Sequence, residues 1–234
     1  LKEIANICDT NEILAIEDLA YIGMDFRKDY SVPFSKPFIP TIGKYGKNWI
    51  TLVSASKAFS FPGPRCAIAI ISPHINEKKY SNLKKFCDRE QFGHAFSLGG
   101  LYVTTSGTSH TAQHGLAKML EAATSGKFNF IEITSEYGRR AEKVKEIFLK
   151  YGFEQVYKKD MDENVGNGFY LTMSFPGYEG NDLMLELLRY GISTITLKST
   201  GSVRHEGLRV CISFIGQDEM PTLEKKLQKF MEDH

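Results

Sequence analysis

Residues 54–65 read "SASKAFSFPGPR", a loop-like stretch that places one lysine, Lys57, eight residues before an arginine, Arg65. Apolar runs lie on either side of it, at residues 50–53 and 66–71, and both are typical of buried strands. Lys57 is therefore predicted to lie on a loop at the edge of a buried sheet, where functional residues concentrate. Because a lysine on a turn is most often an ordinary surface residue, a functional role depends on the residues that accompany it.

The composition is that of a globular protein without charge bias. Of the 234 residues, 42% are hydrophobic and 24% are charged, which suits one large domain or two smaller ones. Lys and Arg (29) balance Asp and Glu (28), so neither nucleic acid nor a membrane surface is an expected partner. Cys8, Cys66, Cys87 and Cys211 lack CxxC spacing, as in a reducing compartment, and the sequence shows no signal peptide or spanning run. We therefore expect a cytoplasmic protein.

The apolar pattern predicts an α/β first part and a compact α+β second part. In the first part we predict strands at 13–16, 50–53 and 66–71, helices at 74–89 and from 111 to Gly126, and irregular segments at 26–48 and 93–109. In the second part we predict strands near 168–174, 192–197 and 208–214 and helices near 182–190 and 221–231. We place the domain boundary between residues 130 and 131, with a long helix near 135–151 as the link.

The first residues bear on the extent of the chain. Leu1, Ile4, Ala5 and Cys8 follow helical spacing, yet neither an initiator Met nor an N-cap residue precedes them. We therefore expect this sequence to be part of a longer protein.

Polar residues follow the predicted strands of the first part. Asp18 and Tyr21 follow the first strand, Ser54 and Lys57 follow the second, and Arg65 precedes the third. Strand ends at one edge of an α/β sheet form the crevice where ligands bind. Each residue alone also has a structural explanation, such as a helix cap for Asp18, a turn for Ser54 or a surface ion pair for Arg65. Their order and spacing together favour a functional site.

Three segments, "EDLAY" (17–21), "SASKAFSFPGPR" (54–65) and "EGLRVCIS" (206–213), together resemble the class I/II aminotransferases, pyridoxal-phosphate enzymes of the aspartate aminotransferase fold. The resemblance implies an α/β fold: the C-terminal half of the large cofactor-binding domain, with a mainly parallel sheet and flanking helices, plus a small α+β C-terminal domain. Residues 1–130 would be the remainder of the large domain and 131–234 the small one. The family's phosphate loop, ring-stacking aromatic and cofactor-binding asparagine would lie upstream, so we do not expect these residues alone to transaminate.

The resemblance also implies roles for the residues of the first part. Lys57 would form the Schiff base with pyridoxal phosphate and then move the substrate proton. Asp18 would pair with the pyridine nitrogen, and Tyr21 would hydrogen-bond the phenolic oxygen of the ring. Ser54 and Arg65 would bind the phosphate, Arg65 through its planar guanidinium.

In the remainder of the chain, Arg209 would bind the α-carboxylate of the substrate as a bidentate pair. Ser109 resembles a residue that, in a homodimer, reaches the phosphate of the cofactor bound to the partner subunit. Its position before a helix equally suits an N-cap. His94, His110 and His114 lack metal-ligand spacing, so we predict no metal.

We accordingly predict an aminotransferase that acts on an L-amino acid and a 2-oxo acid. A carbon–sulfur β-lyase would use the same lysine and the same proton abstraction. The effector domain of a transcription regulator is an alternative of another class, although the balanced charge disfavours it. A catalytically dead relative is disfavoured because Asp18, Lys57, Arg65 and Arg209 are all present.

Overall fold

A computed structural model describes residues 1–27, 29–30, 32–166 and 168–234. The chain divides into two compact units, one made of Leu1–Gly23 and Tyr30–Ile131 and the other of Met24–Asp29 and Glu132–His234. None of the described helices combines the length and the hydropathy that a membrane span requires.

The first unit is built on a three-stranded sheet in the order β1-β2-β3. The strands are β1 (Ala15–Asp18), β2 (Trp49–Ser54) and β3 (Ala67–Ile71). The helices are α1 (Lys2–Thr10), α2 (Ala55–Ala58), α3 (Pro73–Glu77), α4 (Lys84–Cys87), α5 (Phe92–His94), α6 (Val103–Thr105) and α7 (His110–Thr124). The strands β1 and β2 are parallel, as predicted, whereas β3 is antiparallel to β2 because the intervening turn reverses the chain.

The core of the first unit lies behind the lysine loop. Ala112 and Leu116 of α7 pack against Ala55, Ala58 and Phe59, all of which are buried. This packing fixes the short helix α2, since its two alanines are held against α7 by apolar burial.

The second unit packs three helices on a four-stranded antiparallel sheet in the order β4-β7-β9-β8. Its strands are β4 (Glu154–Gln155), β5 (Lys159–Asp160), β6 (Glu163–Asn164), β7 (Tyr170–Ser174), β8 (Ile195–Thr196) and β9 (Leu208–Cys211), of which β5 and β6 form a separate hairpin. The helices are α8 (Phe130–Lys150), which begins just before this unit, α9 (Gly180–Arg189) and α10 (Met220–Asp233). Phe148 of α8, Leu187 of α9 and Phe230 of α10 are fully buried in its core.

The prediction of a loop over residues 93–109 is wrong. That segment contains α5, a π-helix at Ala95–Tyr102 and α6. Its glycines indicated a turn, but Gly99 serves close packing instead: a Cβ at this position would lie 2.5 Å from Cβ of Cys87.

The prediction of one helix over residues 74–89 is also wrong. The segment contains α3, a 3₁₀ turn at Ser81–Leu83 and α4. The break occurs where Lys78 adopts an extended conformation and Lys79 forms a β-bridge with Gln91. The irregular segment predicted at 26–48 contains a 3₁₀ turn, Ile42–Lys44, within its described part, and Lys28 and Ser31 lie outside the described residues.

Candidate active site

Strand register brings three of the predicted site residues of the first unit to one edge of the sheet. Asp18 at the end of β1 pairs with Leu52, in parallel, so the carboxyl ends of β1 and β2 lie at the same edge. Ser54 pairs with Ala67 at the amino end of the antiparallel strand β3. Arg65 precedes Ala67 by two residues and therefore lies near this same edge.

Lys57 is presented at this edge by the four-residue helix α2. The Oγ of Ser54 caps this helix by accepting a hydrogen bond from the backbone N–H of Ser56, at 3.2 Å. Ala55 and Ala58 face the core, while Lys57 is only half-buried. The Nζ of Lys57 lies 5.8 Å from the centroid of the Tyr21 ring, within cation–π distance. The amine of Lys57 and the ring of Tyr21 are thus neighbours.

Two adjacent carboxylates in β1 have different environments. Glu17 is satisfied internally: it accepts hydrogen bonds from the Thr41 hydroxyl and the Ile42 backbone N–H, at 2.5 and 3.0 Å, and from the Thr51 hydroxyl, at 3.2 Å. Asp18 points to the other face, as strand alternation requires, and is exposed. Its Oδ1 accepts one local bond from the backbone N–H of Ala20, at 2.9 Å. Of the two carboxylates, Asp18 is therefore the one available to a ligand.

Arg65 combines an exposed side chain with an unusual backbone. Its φ is 53°, in the left-handed region that non-glycine residues rarely adopt, and its Nη1 donates to the Pro62 carbonyl at 2.8 Å. Such outliers cluster at functional sites. A groove of 830 Å³ lies beside Arg65, but the residues that line it do not include Asp18, Tyr21, Ser54 or Lys57.

The groove beside Arg65 is also lined by the segment that leads into α7. Thr108 contributes to its wall, and Ser109 is the N-cap residue of α7. The Ser109 side chain makes no capping hydrogen bond among the described residues, although its carbonyl accepts one from the Gln113 backbone N–H. The N-cap explanation for this serine thus describes its position but not the use of its hydroxyl.

Arg209 lies in the second unit, on the central strand β9. Its neighbours Leu208 and Val210 are buried in the core, so Arg209 projects from the opposite face of the sheet. The Nε of Arg209 is buried and has no hydrogen-bond partner among the described residues. Its Cζ lies 4.3 Å from the centroid of the Tyr170 ring. Sequence reasoning missed Tyr170, because a contact between strands so far apart in the chain leaves no local signal.

The donor set at the edge of the first unit suits a phosphorylated pyridine aldehyde. It offers the amine of Lys57 for a carbonyl carbon and the carboxylate of Asp18 for a protonated ring nitrogen. It also offers the phenol of Tyr21 for a ring oxygen, and the Ser54 hydroxyl and Arg65 guanidinium for a phosphate. Within the described part of the chain, no three His, Cys, Asp or Glu side chains are grouped as metal ligands would be.

Solved structures of aminotransferases share the fold of this chain, which is the aspartate aminotransferase fold. The family model for aminotransferase class I and II matches residues 1–227, so the chain belongs to this family. The cofactor of the family is pyridoxal 5′-phosphate. A search of curated proteins finds no match.

Solved aminotransferase structures share the fold at low sequence identity. The α-aminoadipate aminotransferase LysN from Thermus thermophilus, complexed with N-(5′-phosphopyridoxyl)-L-leucine, has 15% identity and a TM-score of 0.69, over 99% of this chain and 53% of that one. A double mutant of Thermus thermophilus aspartate aminotransferase has 18% identity and a TM-score of 0.68, over 99% and 51%. The aromatic aminotransferase from Pyrococcus horikoshii has 15% identity and a TM-score of 0.68, over 99% and 54%. The chain thus spans about half the length of these structures.

Proposed function

We propose that this chain belongs to an aminotransferase that moves an amino group between an L-amino acid and a 2-oxo acid. The observation that carries the proposal is the convergence of Asp18, Ser54 and Arg65 at one sheet edge, with Lys57 presented there by a capped helix. We also propose that residues 1–130 belong to the large cofactor-binding domain and residues 131–234 to the small domain.

When bound, pyridoxal phosphate supplies an aldehyde that joins an amine and a ring that withdraws electrons from the substrate Cα. Lys57 would provide the amine that holds the cofactor. Once the amino group of the substrate has displaced it, the free Nζ of Lys57 would accept the proton from Cα. Asp18 keeps a proton on the ring nitrogen, and its exposed carboxylate supports this role. Ser54 and Arg65 bind the phosphate, because a hydroxyl and a guanidinium donate charge-assisted hydrogen bonds to it.

Tyr21 donates to the phenolic oxygen of the ring, a role supported by its contact with Lys57. Arg209 binds the substrate α-carboxylate, a role supported by its buried Nε without a described partner. Ser109 binds the phosphate of the cofactor in the partner subunit of a homodimer. This role is supported by the Ser109 hydroxyl, which makes no capping hydrogen bond among the described residues. The four cysteines, scattered without CxxC spacing, support a cytoplasmic enzyme.

The experiment is product analysis with the full-length protein, loaded with pyridoxal phosphate and given aspartate, leucine or phenylalanine with 2-oxoglutarate. We expect glutamate and the matching 2-oxo acid in equal amounts, and neither in the Lys57→Ala variant. Ammonia and pyruvate from a cysteine conjugate, without glutamate formation from any amino acid, would identify a β-lyase instead. Substrate binding without turnover would indicate an effector domain.

A further inference from the structure

The guanidinium of Arg209 lies over the ring of Tyr170, with Cζ 4.3 Å from the ring centroid. The contact follows from the register of the second sheet. Thr172 pairs with Arg209 and Tyr170 pairs with Cys211, so Tyr170 is a diagonal neighbour of Arg209 on the same face. Diagonal neighbours are within reach of aromatic and long side chains. The register therefore places these two side chains on one face, within reach of each other.

Arg209 differs from the other arginines of the second unit in its electrostatic partner. The other five each form a salt bridge with a carboxylate: Arg27, Arg139, Arg140, Arg189 and Arg204. Among the described residues, no carboxylate lies within salt-bridge distance of Arg209. Its guanidinium is therefore held by an aromatic face, and its charge is not neutralised by a described neighbour.

An aromatic platform and a carboxylate engage different parts of a guanidinium. The ring contacts the flat face, whereas carboxylates bind the N–H donors at the edge. The Nε of Arg209 is a buried donor without a described partner, and a buried unsatisfied donor carries a desolvation cost. A carboxylate that binds the edge formed by Nε and one Nη would remove this cost.

We propose that Tyr170 is a positioning residue for the reaction: its ring fixes the plane of the Arg209 guanidinium and presents the Nε edge to the substrate α-carboxylate. This inference rests on the proposed function, because it takes Arg209 as the carboxylate-binding residue. It adds a determinant of amino-acid affinity on a strand distant in sequence from the arginine.

The test compares Tyr170→Leu, which removes the aromatic face, with Tyr170→Phe, which keeps it, in the full-length protein loaded with pyridoxal phosphate. The probe is the tightest-binding of aspartate, leucine and phenylalanine, each matched with the amine that lacks its α-carboxylate (β-alanine, 3-methylbutylamine and phenethylamine). Apparent dissociation constants come from the saturation of the visible absorbance change on rapid mixing. Tyr137→Leu is the control, because Arg140 lies 5.8 Å from the Tyr137 ring but is already paired with Glu136.

We expect Tyr170→Leu to weaken amino-acid binding about 3- to 30-fold, the range of a cation–π contact, and to leave amine binding unchanged. Tyr170→Phe should restore amino-acid affinity, and Tyr137→Leu should not alter it. A general structural defect would weaken acid and amine alike and would overturn the inference. Arg209→Ala separates the two proposals. If it weakens amino-acid binding and Tyr170→Leu does not, the role of Tyr170 is wrong. If Arg209→Ala has no effect, the carboxylate role of Arg209 is wrong.

Discussion

Replacing Arg65 by glycine and by alanine distinguishes the conformational strain of its backbone from the contribution of its guanidinium to cofactor binding. Both changes remove the hydrogen bond from Nη1 to the Pro62 carbonyl, so that loss cancels in the comparison. At a φ of 53°, the native state of an L-residue is strained by roughly 1–2 kcal/mol, and glycine does not have this strain. Glycine in turn loses about 0.4–1 kcal/mol through the greater freedom of its unfolded chain. Arg65→Gly should therefore be more stable than Arg65→Ala by about 1 kcal/mol.

Cofactor affinity should fall equally in the two variants. Losing hydrogen bonds between the guanidinium and a phosphate typically costs about 1.5–3 kcal/mol, or roughly 10- to 150-fold in the dissociation constant. Stability is measured by urea unfolding of the cofactor-free, full-length protein, and affinity by titration with pyridoxal phosphate. Ser60→Gly is the control, since Ser60 has a φ of 47° in the same loop but is outside the proposed site. It should gain stability and keep its affinity.

Two results would refute this reasoning. Equal stability of the glycine and alanine variants would show that the strain at Arg65 only matches the loss of about 0.4–1 kcal/mol that glycine brings, and is smaller than the roughly 1–2 kcal/mol expected at this φ. Affinity for pyridoxal phosphate like that of the wild type, in either variant, would show that the guanidinium does not bind the phosphate.

Lys57→Ala should abolish the visible absorbance of the lysine-bound cofactor in the full-length protein, as measured by spectroscopy, and a retained band would contradict the assignment. Arg209→Ala should raise the KM for amino acids roughly 10- to 150-fold, because a charge-assisted bidentate contact is lost. Cofactor affinity, measured by titration, should not change with it. Hydrogen bonds from Arg140 and then Arg139 hold the pKa of Glu136 below its ordinary value of 4.5, so its contribution to stability is present above that value and is lost as pH falls through the lowered pKa. Glu136→Gln should therefore flatten the acid side of the urea-unfolding profile, and an unchanged profile would count against the ion pair.

The residues around Lys57 were predictable because several local signals agree. The apolar runs that become β2 and β3 flank a loop whose Pro-Gly turn reverses the chain, and these features suffice to place Ser54, Lys57 and Arg65 near one another. Asp18 was predicted to follow the first strand and is the last residue of β1. In the strands and the turn around Lys57, the local preferences of the sequence agree with the fold.

The segment 93–109 was not predictable in this way, because its glycine at position 99 is required by close packing against another segment and not by a local turn. Gly99 is small so that the π-helix can approach Cys87, and a single sequence does not distinguish this need from that of a turn. The break near Lys79 likewise depends on a bridge to Gln91. The contact of Tyr170 with Arg209 depends on strand register, which the hydrophobic pattern fixes only once both strands have been paired.

The contrast between Glu17 and Asp18 has a consequence for how this sequence can change over generations. Each carboxylate is committed to one face of β1, Glu17 to Thr41 and Thr51 and Asp18 to the exposed face. Deleting or inserting one residue within β1 would exchange the faces of the residues on one side of the change, which would move the half-buried Glu17 carboxylate away from Thr41 and Thr51. A substitution in this strand changes one side chain, whereas a change in its length moves several side chains to the opposite face at once. Homologous chains are therefore expected to vary in length before or after β1 and not within it.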